Sequence, residues 1–245
     1  MAIARDGTGA TKILWAGVGA GNQTITFTTT ANRHLVVSGE NNATTVTATD
    51  SGAGSWTVKT NTASTLQPFV AYRENAASVT TVSVTLSGSP NYGGAKLDQF
   101  TGVATSASFE SQTTATGTVA SATFGSGNHT TTSPNALIVG AAAADDASTT
   151  AWTTTLGSFT ELAQDGNSTS STPWQTIFQI AAGSTGPYSI TWNYPPNTAA
   201  GQSLLVSFAP SDNTPTYANT PRDDELIALG SVLGPYSWVK PQSWF

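Results

Sequence analysis

The chain has 245 residues, a formal net charge of −6, no cysteine, and only 9% charged residues against 38% hydrophobic ones. This excludes a disulfide framework or a cysteine metal site, and the eight Lys and Arg, scattered singly, make no basic surface for nucleic acid or an anionic membrane. No apolar run reaches the roughly 20 residues that a spanning helix needs.

In chain order, the opening Met1-Ala2-Ile3-Ala4-Arg5-Asp6-Gly7 lacks the basic and then apolar segments of a secretory signal. The rest is rich in Thr, Ser, Gly and Asn, like an outer-surface protein. The two agree in a protein folded in the cytosol and released by lysis, as virion proteins are; the alternative is a signal removed beforehand. Thr24-Ile25-Thr26-Phe27-Thr28 alternates with period two and predicts a half-buried strand. Leu35-Val36-Val37 is a short continuous apolar run, predicting a central core strand. After the turn signal Asp50-Ser51-Gly52, Val82, Val84 and Leu86 share one face of another alternating strand. Ser87-Gly88-Ser89-Pro90 marks a turn, and Gly125-Ser126-Gly127-Asn128 is read as a hairpin turn. Leu137-Ile138-Val139 is a second continuous run. Tyr188-Ser189-Ile190-Thr191-Trp192 alternates again, so Trp192 is expected inside, and Leu204-Leu205-Val206-Ser207-Phe208 closes the strand series. The one helical candidate is 223–229, acidic at its start, with Gly230 to end it.

The order repeats. The run at Leu35 resembles the run at Leu137, a step of 102; Gly54-Ser55-Trp56-Thr57 resembles Gly157-Ser158-Phe159-Thr160, a step of 103. Val82-Ser83-Val84-Thr85 and Pro90-Asn91 recur 106 residues later as Tyr188-Ser189-Ile190-Thr191 and Pro196-Asn197, and Phe100 pairs with Phe208. Ordered matches with a slowly drifting step indicate a duplicated unit. The expected architecture is all-β: two tandem antiparallel β-sandwiches at 1–104 and 105–210, then a C-terminal arm at 211–245. The arm carries four prolines and the apolar side chains Tyr217, Leu226, Leu229, Tyr236, Trp238, Trp244 and Phe245. An exposed tail so rich in aromatics would be sticky, so it is expected to dock on its own sandwich or on a neighbouring subunit.

The stretches 32–37, 50–57, 82–88 and 97–103 (Asn-x-x-Leu-Val-Val, Asp-Ser-Gly-x-Gly-x-Trp-Thr, Val-Ser-Val-Thr-Leu-Ser-Gly and Leu-Asp-Gln-Phe-Thr-Gly-Val) carry a likeness. They resemble the Ig-like or jelly-roll β-sandwich modules of phage structural proteins and bacterial surface proteins. The second unit departs from it around Ala142-Ala143-Ala144-Asp145-Asp146. The resemblance implies a structural or adhesive role and brings no catalytic residue with it.

Chemistry is thinly signalled. His34 and His129, without cysteine or a third histidine, do not complete a usual zinc set, and are read as surface or strand-end residues. No Gly-x-Ser-x-Gly elbow is present. The carboxylates Glu40, Asp50, Glu74, Asp98, Glu110, Asp145, Asp146, Glu161 and Asp165 advertise no glycosidase pair, and Asp145-Asp146 without an Asp-x-Asp-x-Asp-Gly loop reads as a solvated turn rather than a calcium site. The four Asn-x-Thr matches are what chance gives in so Thr-rich a chain. Trp152, Trp174, Trp192 and Tyr194 cluster in the second unit; Trp152 and Trp174 flank turn-rich segments and are the candidate platforms for a sugar ring. The expectation is a non-enzymatic virion protein on the particle exterior, a head decoration or tail-associated subunit. It would form a homo-oligomer with other virion proteins as partners, and need neither cofactor nor metal. The alternative is an adhesin or receptor-binding module for host surface glycans.

Overall fold

The computed structural model describes residues 1–16, 21–42, 45–63, 66–87, 92–117, 123–145, 151–165, 173–181, 183, 185–194 and 201–211. Met1–Asn213 forms one compact unit; Thr214–Phe245 forms a second, none of whose residues is described. The apolar residues expected to dock the arm, and the helical candidate at 223–229, therefore lie outside the described residues.

Every described element is a strand, and every pairing is antiparallel. A first large sheet runs β1 (Ala4–Arg5), β9 (Tyr92–Thr101), β4 (Arg33–Asn41), β7 (Gln67–Ala76), β6 (Thr57–Thr60), with β2 (Ile13–Ala16) also on β9. One of its faces is covered by a three-stranded sheet of β3 (Gly21–Thr26), β8 (Thr81–Ser87) and β5 (Thr45–Asp50). A second large sheet runs β10 (Phe109–Thr116), β16 (Gly201–Phe208), β12 (Leu137–Ala144), β14 (Trp174–Ile180), β13 (Thr160–Asp165), and is covered by the pair β11 (Thr123–Gly125) and β15 (Thr191–Asn193).

Three apolar cores separate the four layers. Ile25, Val46, Val82, Val84 and Leu86 of the three-stranded sheet meet Leu35, Val37, Phe69 and Leu97. Phe124 and Trp192 meet Ile138, Ile177 and Leu205 at the other end. Between the two large sheets lies a central core of Val36, Val70, Tyr72, Phe100, Leu137, Val139, Leu204, Val206 and Phe208. Each fully buried side chain of this kind contributes roughly 1.5–3 kcal/mol. Strands β12 and β16 are buried at every position, and β4 at all but its first, because each has a sheet on both faces. That is why each carries an apolar run without alternation, at 35–37, 137–139 and 204–206, whereas β5 and β8, with one face in solvent, alternate strictly.

The second large sheet repeats the strand order of the first, with β16, β12, β14 and β13 standing where β9, β4, β7 and β6 stand. The correspondence runs one residue away from the sequence match. Leu35 belongs to an outer core but Leu137 to the central one. Asn32 and Asn135, both in the left-handed region at φ 59° and 60°, occupy equivalent turns and fix the step at 103. A slip of one residue exchanges the faces of a strand, and a run of three apolar residues buried on both sides gives no phase to prevent it. By the pairing register, Tyr72 lies opposite Val36 as Phe178 lies opposite Val139. The central core uses this correspondence twice. Tyr72 packs edge-on against Phe208 at 4.8 Å, and Phe178 packs edge-on against Phe100 at 5.6 Å, with the two sheets exchanging roles.

The stretch Gly125-Ser126-Gly127 is not a hairpin turn. Ser126 N donates to Ile190 O at 2.9 Å and Ile190 N donates to Ser126 Oγ at 3.0 Å, and the ladder continues to the bridge between His129 and Tyr188. The serine hydroxyl stands in for a backbone acceptor, which an irregular ladder requires.

Candidate functional site

The two rings expected to meet a sugar are both inside. Trp174, the first residue of β14, is fully buried and Trp152 is 4% exposed. The Trp174 indole lies across Gly94 of β9, so close that a Cβ on that glycine would sit 2.6 Å from the ring. Trp152 packs among Phe124, Trp192 and Tyr194, with centroids 5.0 to 6.2 Å apart. Neither ring offers a face to a ligand. Trp192 is buried, as its alternating strand implies.

The histidines are also interior, not at the surface. His34 lies on the central face of β4, with Tyr72 stacked at 5.7 Å and Phe208 at 4.6 Å. Neither of its ring nitrogens has a hydrogen-bond partner, and burial pushes its pKa down to about 3. His129 is fully buried; its Nδ1 lies 3.0 Å from the Thr113 hydroxyl and its Nε2 3.4 Å from Ser111 Oγ. Burial lowers its pKa to about 4, against the opposing charge of Glu110. Ser111 donates to Thr130 O at 2.9 Å, and its partner imidazole carries a hydroxyl, rather than a carboxylate, on the far nitrogen. The base-and-orienter order of a nucleophilic serine is not formed here.

The carboxylates are dispersed and tied into the framework. Asp98, fully buried, takes Arg5 Nε at 2.9 Å and lies 3.8 Å from Lys96; burial raises its pKa against both cations. Asp165 faces Lys12, and Glu161 accepts from Gln164 and Gln175. Glu110 accepts from Thr132 N, Glu40 is buried on β4, and Asp145 is exposed, while Asp146 lies outside the described residues. No group of three or more metal-ligating side chains occurs among the described residues. All six described Lys and Arg are engaged: five in ion pairs, and Lys59 over the Phe109 ring at 3.8 Å.

What the structure does bring together is a cleft of about 590 Å³ at the end of β6 and β7, where the chain crosses to β10. Tyr72 forms its floor and Phe109 one wall, their rings parallel at 6.4 Å. Arg73 and Glu74 continue the line of β7. Arg73 pairs with Asp50, which also accepts from Trp56 Nε1 at 2.6 Å and Gly52 N at 2.7 Å. Burial works to raise the Asp50 pKa, but these donors outweigh it and hold the carboxyl below its ordinary value. The Arg73 guanidinium lies directly over Gly54, where any Cβ would overlap it. Glu74 accepts from Ala107 N at 3.1 Å and from Ser108 N and Oγ at 2.6 Å each, fixing the crossing loop. Ser55, Thr57, Asn75 and Thr105 complete the polar lining.

Two β-bulges shape this cleft. On β7 the register shifts so that Arg73 through Ala76 faces Arg33 through Leu35, leaving one extra residue. On β10 it shifts between Phe109 and Ser111. Asn75, beside the first bulge, has φ 44°, and Ala107, just ahead of the second, has φ 50°. Ala53, at φ 51°, adjoins Gly54 on the opposite rim. In the sequence, Gly54 belongs to the repeat and Asp50 and Glu74 count among the unpaired carboxylates, but nothing singles out Ala53, Asn75 or Ala107. The one trace is a change of step: Tyr72 to Phe178 is 106, but Ala76 to Ala181 is 105. Comparison with known proteins gives no match, whether by protein family, by curated protein or by solved structure.

Proposed function

We propose that the chain is a non-enzymatic structural subunit of a phage particle's exterior, a head decoration or a tail-associated protein, assembling as an oligomer with itself and other virion proteins. The observation that supports this reading best is the four-layer stack, whose three continuous cores make residues 1–213 one body. Such a body suits a load-bearing surface component. The polar side chains serve the frame: carboxylates fasten loops and strands, and the described cations are engaged internally. Its outer sheets present Thr, Ser and Asn to solvent, and Met1 and Leu14 are the exposed large hydrophobics among the described residues. The described body therefore carries no broad apolar patch for association, and the aromatic-rich 211–245 segment is the natural assembly element.

The test is the solution mass of the full chain beside a chain ending at Pro210. A defined oligomer for the first and a folded monomer for the second is the expected result. Two equally stable monomers would remove the assembly role.

A further inference from the structure

We propose that the cleft between β7 and β10 is a binding site for a neutral saccharide. The inference does not rest on the particle reading and holds whether or not the chain assembles.

The first ground is backbone geometry. The left-handed turn at Asn32 recurs at Asn135 and belongs to the repeated architecture. The conformations of Asn75 and Ala107 do not recur: β14 pairs with β12 in unbroken register where β7 is bulged against β4. A left-handed alanine costs about 1 kcal/mol or more, and bulges of this kind re-aim side chains beside binding sites. Two bulges and two strained non-glycine residues on the walls of one cleft are local features that the common fold does not demand.

The second ground is chemistry. Charged residues are scarce in this chain, yet Arg73, Glu74, Asp50 and Lys59 gather here with signs that balance. Each is already engaged, Arg73 with Asp50, Glu74 with the crossing loop and Lys59 with a ring, so the cleft offers little net charge to a phosphate or a nucleic acid. What remains for a ligand is neutral hydrogen bonding from Ser55, Asn75 and Thr105, all exposed, beside half-buried Phe109, with the buried Tyr72 closing the bottom. Hydroxyl and amide groups beside a partly exposed aromatic ring match the alternating polar rim and C–H faces of a pyranose. The volume lies within the roughly 300–1,000 Å³ of small-molecule sites.

The experiment titrates the full chain with maltotriose, cellotriose and tri-N-acetylchitotriose by calorimetry and saturation-transfer NMR, with inorganic phosphate as the competing probe. At least one trisaccharide is expected to bind. Thr105→Val and Asn75→Gly are each expected to weaken it by about fivefold, the effect of one lost hydrogen bond. Both variants should keep the parent melting temperature or exceed it, since Thr105 is exposed and glycine relieves the backbone at 75. Failure of all three sugars to bind at millimolar concentration overturns the proposal. So does binding unchanged in both variants, or displacement of the sugar by phosphate.

Discussion

Strands β7 and β14 hold the same place in their sheets, and they have been put to different ends. Both run antiparallel beside the most buried strand of a large sheet, and both send a ring, Tyr72 or Phe178, into the central core. Strand β14 stays regular, and its first residue, Trp174, seals the space against Gly94. Strand β7 takes in one extra residue, turns Arg73, Glu74 and Asn75 toward a cleft, and accepts a left-handed asparagine to do so. Two sheets of the same strand order thus leave one strand to packing and free its counterpart to line a cleft. The two roles separate because stability comes from area removed from water, whereas a site needs polar groups held in the open.

The largest effect should come from breaking β14. Trp174→Ala is expected to lower stability by about 3–5 kcal/mol, read by chemical denaturation, with saccharide binding at the β7 cleft retained in the folded fraction. If instead the loss is under about 1 kcal/mol, the Trp174 contact with Gly94 does not anchor β14.

Next in size is acid sensitivity. His34 stands where the second sheet has Leu137, and it is held neutral with a pKa of about 3 against an ordinary 6.5. The unfolded chain takes up a proton below 6.5 that the folded chain refuses, so stability falls as pH drops from there toward 3. At full slope the loss is about 1.4 kcal/mol per pH unit. His129, with its pKa lowered to about 4, adds to the same slope. Asp98, raised by burial, acts the other way: its contribution is present below the unfolded carboxylate pKa and lost as pH rises through the folded one. His34→Leu should flatten the fall between pH 6 and 4, measured as melting temperature against pH. An unchanged slope would place the sensitivity elsewhere.

The smallest effect sharpens the comparison from the β7 side. Ala107→Gly relieves a φ of 50° in a loop still fastened by Glu74, and should stabilise by up to about 1 kcal/mol in thermal melts. A destabilised variant would mean that the alanine methyl packs in a way that outweighs the strain.

Much of the fold was legible because strands with one wet face write their period into the chain. Ile25 and the Val82, Val84, Leu86 alternation face the core as read. The shared strand order of the two large sheets was legible in outline but not in phase, since the runs at Leu35 and Leu137 are buried on both faces and no polar residue within them marks which side is which. Trp152 and Trp174 were misplaced because a turn-rich neighbourhood says nothing about whether a second sheet lies over it. The cleft left almost no trace. Arg73-Glu74-Asn75 reads as an ordinary polar stretch, and its extra residue changes the repeat step by one.

The amino-acid sequence by itself determined that this protein is all-β, charge-poor and free of cysteine chemistry, and that strand-forming segments recur in order. Those properties are local: period-two burial, β-branched residues and turn chemistry act within a few positions. Only the tertiary structure decided that the two large sheets face each other, that both histidines and both candidate tryptophans are interior, and that a bulged strand opens a site beside Phe109. Those outcomes depend on which face meets which across tens of residues, and a strand carries no record of its partner beyond the apolar character of the face it buries.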